Sequence, residues 1–533
     1  MQQFIEKYRE QIHGVLTGFD RLVFRGSLRR LNFAKYDKGL DAIKAVGMEN
    51  YLWQNKILFK DYQDHVKRVS ESLKKTSMEP FAKQNLPVIF LRDPNQDKSK
   101  LARQVAEEKG VKSGLVCAIS AMEPSPTFEH RGTHMIRRIR PCHVLYQYQI
   151  HPELGWMHAR IQTWFPFNIQ VALNGREWLA RQMSADGMKY VQQGNCFPWL
   201  EDYARAQELM NRQVEKNWAE LLNGLAGELN PEHERIFSRY PVDYYWTCDQ
   251  SEWATDVVFR EGAFLKRLMP LLVRHGMLSY SSPDVMRYFG KRVKLSGEIP
   301  ECFNGTLKTD LKCRHEGERV KFSLNSNSVK YYDKGYSEVG CVLRAAETTL
   351  IGVQDFRAYR SKEGGDAKDL QWRPLRKGIA DLHRRTEISQ KANERLLNAL
   401  GSVDDNRSVE ELTAGIQRRT TLGGRNIRAL RPWGDDKELL VAINHGEFTL
   451  NGFRNRNLQE LLYGAQSDSA IQRRQRSSAI SRKLRMLRAH GIVRKVPRTH
   501  RYQITDAGRI ILLAVLTSAR TSVNQLNQLP KAA

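Results

Sequence analysis

From His143 to Leu173 the chain alternates apolar and polar residues, HVLYQYQIHPELGWMHARIQTWFPFNIQVAL, and breaks the alternation at Pro152-Glu153-Leu154-Gly155. A period of two places alternate side chains on opposite faces of a strand, so this stretch commits the chain to a β-hairpin, with a third strand at Asn168–Leu173. Asn174-Gly175 then hands over to a helix from Arg176. The same period returns between Lys294 and Arg360, where TLKTDLKCRHE, RVKFSL, SVKYYDK and CVLRAAETTL read as four antiparallel strands. Shorter runs at LVFRGSL, PVIFL and Leu115–Ala121 add strands near the N-terminus, separated by helical patterns around Lys38–Val46 and Lys60–Lys75.

Elsewhere the spacing is helical. Leu209, Val214, Trp218, Leu221, Leu222 and Leu225 recur every three or four residues before Pro231, and a basic helix is expected from Leu375 to about Leu400. At 533 residues the chain exceeds one ordinary core. The expected fold class is α+β and multidomain. It comprises an α+β unit over 1–197, a helical middle over 198–292, an antiparallel β segment with the basic helix over 293–401, a linker region over 402–434, and a C-terminal unit over 435–533.

Lys and Arg number 85 against 59 Asp and Glu, a net charge of +26. Such a field attracts nucleic acid or an acidic membrane face. The sequence has neither a basic amphipathic helix nor a lipidation motif, and its longest apolar run, Ile510–Leu516, falls far short of the roughly 20 residues that span a bilayer. The opening MQQFIEKYREQIHG lacks the apolar stretch of a signal peptide, and the seven cysteines are scattered with no CxxC pair. A cytoplasmic protein with a nucleic-acid partner and no membrane association is therefore expected; a basic protein without a polyanionic partner is the alternative.

The C-terminal unit sharpens that expectation. Asn455–Tyr463 reads as a helix, followed by RRQRSSAISRKLRMLRAHGIVRKVPRTHRYQITDAGRIILLAVL. Ile480, Leu484 and Leu487 make one apolar stripe, and Gly491 is placed to end the helix. Ile492–Val496 and Arg501–Thr505 then form two short strands joined by Pro497–His500, and a last apolar helix starts beyond Asp506. This order of helix, helix, hairpin and helix resembles the winged helix-turn-helix of transcriptional regulators such as the MarR and ArsR families. The resemblance implies double-stranded DNA as the partner. Its contacts would come from Arg474, Arg476, Arg482, Lys483, Arg485 and Arg488 on the helix and Arg494, Lys495, Arg498 and Arg501 on the wing, where guanidinium forks reach guanine edges and phosphates. Use of the same fold for protein contacts is the alternative. Further cations cluster at Arg384 and Arg385 in the basic helix and at Arg131, Arg137, Arg138 and Arg140 in HRGTHMIRRIRPCH. Tyr146, Tyr148, Trp156 and Trp164 could stack on bases, although their alternation favours core positions.

Catalytic chemistry has four candidate locations. In TCDQSEWATDVVF, Asp249 would cap a helix presenting Glu252 and Asp256 on one face, a pair able to hold Mg²⁺ or Mn²⁺. Asp20 and Glu123 at strand ends, with Glu177 on the following helix, resemble the carboxylates of RNase H-like nucleases and transposases. Tyr331-Tyr332-Asp333-Lys334 with Arg344 and Glu347 faintly resembles the strands of phage and plasmid replication initiators, without their His-hydrophobic-His metal motif. Cys302, Cys313 and His315, with the Cys142-His143 pair, have the wrong spacing for structural zinc. No GxxxxGK[ST] loop occurs, which disfavours ATP-driven chemistry. The function expected is DNA binding by a mobile-element factor, transposase-like or replication-initiator-like, with a metal-dependent nuclease or strand-transfer activity if it is an enzyme. A non-enzymatic regulator with a large sensor region, or an RNA-binding protein, stays open beside it.

Overall fold

The computed structural model describes residues 1–29, 45–278, 280, 282–291, 299, 301, 303–314, 317–362, 366, 368–401, 408–444, 448, 452–464, 469–497 and 499–519. Among the described residues, thirteen strands dominate the first 350 positions. They are β1 (Ile12–Arg29), β2 (Val88–Leu91), β3 (Gly114–Arg131), β4 (His134–His151), β5 (Gly155–Gln162), β6 (Ile169–Asn174), β7 (Tyr190–Gln193), β8 (Cys196–Leu200), β9 (Asp243–Phe259), β10 (Leu307–Arg314), β11 (Gly317–Leu324), β12 (Asn327–Ser337) and β13 (Gly340–Leu350).

All but β7 and β8 join one 11-stranded sheet in the order β10-β11-β12-β13-β9-β1-β6-β5-β4-β3-β2. The hairpin of β4 and β5, the third strand at β6 and the four strands β10–β13 appear where the alternation placed them. Among the described residues only the β2–β3 pair of this sheet is parallel, so the fold is α+β with a mixed sheet.

One expectation fails at the centre of this sheet. Residues 243–259 lie inside the supposed helical middle, yet they form β9, which pairs with β1 on one side and β13 on the other. The sequence there, DYYWTCDQSEWATDVVF, is rich in aromatic and β-branched residues that fit a pleated surface, and sheet burial overrides the acidic residues that suggested a capped helix. A single sheet thus draws strands from 1–197, 198–292 and 293–401 alike.

Helices cover both faces. Leu382–Leu400 buries Leu382, Leu396, Leu397 and Leu400 and packs against β13 and β9. Its Asn393 accepts from Thr348 at 2.7 Å and donates to the Trp253 carbonyl at 3.0 Å. The opposite face carries Tyr203–Glu215, which crosses β1 so closely that a Cβ on Gly18 would sit 2.3 Å from Met210. Each large apolar side chain buried this way contributes about 1.5–3 kcal/mol. β13 shows the result: all of its residues are buried.

Beyond the sheet lie the small hairpins β14 (Arg357–Arg360) with β15 (Gln371–Pro374) and β16 (Thr420–Leu422) with β17 (Arg425–Ile427). The last unit has its own apolar core, in which Ile480, Leu484 and Leu487 meet Leu439, Leu458, Leu512 and Val515. Its helices run Lys437–Ile443, Asn455–Tyr463, Ala470–Ala489 and Asp506–Ser518, with the hairpin β18 (Val493–Lys495) and β19 (Tyr502–Ile504) before the last. Gly491 takes φ 69°, the left-handed turn that follows the Ala470–Ala489 helix. The linker expected over 402–434 belongs to this unit in its described part. Val409–Ala414 is helical, Ile416 and Leu430 enter the same core, and Arg428 makes a bidentate pair with buried Asp436 at 2.7 Å. Ser402–Asn406 falls outside the described residues. Among the described residues no helix is long and apolar enough to cross a membrane.

Candidate functional site

Residues from three of the four catalytic candidates meet at one place on the sheet. β1 brings Asp20, β9 brings Glu252 and Asp256, β12 brings Lys330 and Tyr332, and β13 brings Arg344 and Glu347. Irregularities in strand pairing make this convergence possible. Arg344 and Glu347 are three apart and would face opposite sides of a regular strand; the register shift between Arg344 and Ala346 returns both to one face. A second shift, between Phe19 and Arg21, leaves Asp20 as the extra residue of β1 opposite β9. A third lies between Lys330 and Tyr332. Bulges of this kind re-aim side chains beside functional sites.

Arg344 is the hub. Its Nε and Nη2 donate to Asp256 at 2.8 and 3.1 Å, and its Nη1 meets Asp20 at 2.5 Å and Glu347 at 3.2 Å. Burial alone would lower its pKa, but the surrounding Asp20, Asp256, Tyr332 and Glu347 outweigh that and raise it. Arg176, at the start of the Gly175–Ala185 helix, pairs with Asp256 from the other side at 2.9 Å. That helix can seat so deeply because residue 175 is glycine: a Cβ there would lie 2.0 Å from the Phe19 carbonyl oxygen. The turn between β7 and β8 closes the edge, with the Asn195 side chain donating to Asp20 at 2.6 Å and its carbonyl accepting from Arg344 at 3.2 Å.

Glu347 receives the Lys330 ammonium at 2.6 Å and a hydrogen bond from Tyr332 at 2.8 Å. Burial opposes its ionisation, yet Lys330, Arg344 and Tyr332 prevail and hold the carboxyl well below the usual range. Glu252 has a different environment. It accepts from the Gln250 side-chain amide at 2.7 Å, and burial, then the fields of Glu347 and Asp20, push its carboxyl upward. Ligand oxygens of Asp20, Glu252 and Glu347 all lie within 4.8 Å of one another, the single such cluster among the described residues.

These three acids form the floor of a cavity of about 230 Å³, and half-buried Arg319, Lys334 and Lys330 line the same cavity. The donor set suits a divalent ion: hard carboxylate oxygens, with Glu252 accepting from a neutral amide. Asp333, Arg319 and Lys334 line the same cavity, so with Asp256, Arg176, Arg344 and Lys330 the site holds five acids beside five cations before any ion enters.

The remaining sequence candidates separate. Asp249 caps no helix; it lies on β9 and pairs with Arg25 at 2.7 Å. Asp256 shares a face with Glu252 as a strand neighbour rather than a helical one, and its two oxygens are occupied by Arg344 and Arg176, so it supports the site instead of ligating. Glu123 belongs to another network, with Lys98 at 3.2 Å, Arg160 at 3.1 Å and Tyr146 at 2.8 Å, and Glu177 lies 3.7 Å from Arg103. Cys302 and His315 fall outside the described residues. His143, beside buried Cys142, is pushed down to about 4 by burial and Lys74, and contacts Thr163 at 3.3 Å.

One cation, Arg385, also loses its expected role. Arg385 is fully buried and donates to the carbonyls of Cys248 and Leu350, and Arg384 pairs with Asp381 at 2.7 Å. The basic helix therefore turns part of its charge inward to tie β9 and β13 to itself. Tyr148 and Trp156 are buried, as their alternation suggested.

The C-terminal cations face water. Arg474, Arg482, Arg485 and Arg488 are exposed along the Ala470–Ala489 helix, Arg488 one turn after buried Leu484 and the others further round from the buried Ile480, Leu484 and Leu487; Met486 is also buried, and Lys483 is half-buried. Arg494 and Lys495 are exposed on β18, with Arg494 reaching Gln503 at 3.3 Å; Arg501 is half-buried. Arg476 packs over the Tyr463 ring, 5.4 Å from its centroid. Arg498 falls outside the described residues. No family model, curated protein or solved structure matches the chain.

Proposed function

We propose that the C-terminal unit acts as a winged helix that binds duplex DNA, and that the acid-floored cavity performs divalent-ion-dependent phosphodiester chemistry on the bound strand. The observation that carries the binding is the row of exposed arginines on the Ala470–Ala489 helix, continued onto β18 and lying round the helix from a buried apolar stripe. A helix presenting such a row to a major groove meets phosphates and base edges together.

The chemistry is favoured by the composition of the cavity, with carboxylates below and Arg319, Lys330 and Lys334 around them. Asp20, Glu252 and Glu347 would hold a divalent ion, which when bound would supply Lewis-acid polarisation of a phosphoryl oxygen. The flanking Arg319, Lys330 and Lys334 would hold the phosphate. Tyr332 is unsuited as a nucleophile: it is buried, donates its proton to Glu347, and burial followed by the nearby charges holds its pKa high. The two parts together make a transposase-like or nuclease-like mobile-element factor, acting through water or a DNA hydroxyl.

Binding is tested with the full chain carrying Arg482→Ala, Arg485→Ala and Arg488→Ala, titrated against a labelled duplex by fluorescence anisotropy over a salt series. Each arginine that meets a phosphate adds about 0.9 to the salt slope, so the triple variant is expected to lose about two to three units of slope and roughly a hundredfold in affinity at low salt. An unchanged slope would remove this helix as the DNA contact.

A further inference from the structure

Strands β14 and β15 form a two-stranded sheet of their own, with Arg357 opposite Pro374, Ala358 opposite Arg373, Tyr359 opposite Trp372 and Arg360 opposite Gln371. The period of two sorts these residues onto two faces. The inner face is rooted. Ala358 is buried in the same core as Phe356 and Leu375, and the Leu375 amide donates to the Phe356 carbonyl at 3.0 Å. Buried Arg360 donates to the Pro374 carbonyl at 2.7 Å and to the Ser361 carbonyl at 3.0 Å. The outer face consists of Arg357, Tyr359, Trp372 and Pro374, and all four are exposed.

Two large rings therefore meet water side by side. Tyr359 is 55% and Trp372 63% exposed, with centroids 5.7 Å apart and planes inclined by 57°. Among the described residues this is the one ring pair whose two members are both exposed. A cross-strand aromatic pair can steady a hairpin, but rings this open realise little of the apolar burial that their size offers. The surroundings are basic. Residues 357–384 hold eight Lys and Arg against four Asp and Glu. Arg357 on the outer face and Lys362 and Lys368 in the connection between the strands are exposed. Arg360, Arg376 and Arg384 crowd the single buried carboxylate of Asp381 at 3.5, 2.9 and 2.7 Å, so the charge behind the rings is positive as well.

We infer that this hairpin is a stacking platform for an unpaired DNA strand, with bases laid on Tyr359 and Trp372 and the neighbouring phosphates drawn to Arg357, Lys362 and Lys368. The inference rests on the DNA-binding reading given above and adds a second kind of strand to it. Bases inside a duplex keep their faces stacked on one another, so an unpaired strand is the one that offers a face to a ring. Every base has such a face, which makes the contact indifferent to sequence. Charge selects the partner: a strand carries one phosphate per nucleotide, whereas an apolar peptide or a neutral sugar gains nothing from the cations of the hairpin. Attachment to the core fixes both rings before binding, which limits the ordering cost.

The test uses the full chain with Tyr359→Leu and Trp372→Leu together, titrated by fluorescence anisotropy against a labelled single-stranded oligothymidylate and, in parallel, against the duplex. Affinity for the single strand should fall at least about fivefold for each base that rests on a ring, at unchanged salt slope, because stacking releases no counterions. Duplex affinity should stay as it was. Arg357→Ala should instead remove about 0.7 unit of single-strand slope. Tyr359→Phe with Trp372→Phe should keep most of the affinity, which separates stacking from a general disturbance of the hairpin. Oligonucleotides carrying iodouracil should crosslink to Tyr359 or Trp372. Unchanged single-strand affinity in the leucine variant, or a wild-type chain that binds duplex and no single strand, would overturn the platform and leave the DNA reading in place. Equal losses on both DNAs with a lower melting temperature, in the leucine and phenylalanine variants alike, would also overturn it and make the rings a prop of the hairpin. A wild-type chain that binds neither DNA would defeat both readings.

Discussion

Glu252→Gln is expected to abolish divalent-ion-dependent nicking of supercoiled DNA while raising the unfolding temperature at neutral pH. The two effects share a cause. Burial first, then the nearby Glu347 and Asp20 carboxylates, raise the pKa of Glu252, so its ionised form is the less stable one in the folded protein. A carboxyl with a raised folded-state pKa contributes stability that is present at low pH and lost as pH rises through that pKa. Glutamine keeps the shape and the bond partner Gln250 but cannot ionise, so it escapes the loss. The variant's advantage should therefore grow from near zero below the ordinary glutamate pKa of about 4.3 to its full size at neutral pH. Activity should fall at least about a hundredfold with Mg²⁺ or Mn²⁺, since a ligand is worth at least as much as the outer partners of a metal site. Added Mn²⁺ should raise the melting temperature of the wild type and leave the variant nearly unmoved, because only a protein that binds the ion gains from mass action. A variant that nicks at wild-type rate, or melts lower at neutral pH, would sink this account of the site. A wild-type chain that binds duplex but never nicks it would leave the winged helix standing and remove the enzyme.

The parts of this site were legible singly and illegible as a set. Period-two alternation placed β4, β5, β6 and β10–β12 where burial of one face imposes the pattern, and β13, buried throughout, followed them as the next strand of the same series. β9 escaped because it is central: with partners and layers on both sides its apolar run from Val257 to Phe259 has no clean alternation, and Asp249, Glu252 and Asp256 looked like a capped helix face. Asp20, Glu252 and Glu347 are separated by 232 and 95 positions in the chain, and the pairing order β12-β13-β9-β1 brings them together. Even that order would not suffice without the shifts at Asp20 and after Arg344, and a bulge leaves no mark in composition. Arg344 and Glu347 were visible as charges in an apolar strand, VLRAAETT, which is the signal that could have found them: a charge at a buried strand position needs a partner. The same rule corrects Arg385. Its helix reads as basic, but it stands at the spacing of Leu382, Ser389, Ala392 and Leu396, the buried face.

Arg344→Met is expected to cost about 3–5 kcal/mol of stability, far more than loss of any exposed charge on this chain, because it strips the shared guanidinium from three largely buried carboxylates. Asp20, Asp256 and Glu347 all contact this one guanidinium, and Asp256 and Glu347 are 2% and 0% exposed. Arg344→Lys should recover only part of the loss: a single ammonium keeps the charge but cannot span Asp256 on one edge and Asp20 with Glu347 on the other. The measurement is urea unfolding followed by the fluorescence of Trp246 and Trp253, both buried on β9, with exposed Arg205→Ala as the control expected to change little. A loss below about 1 kcal/mol for Arg344→Met would mean that water or rearrangement already satisfies these carboxylates. The acids would then be free to move apart, and the close spacing that makes the cavity a fit for a divalent ion would no longer be a property of the fold.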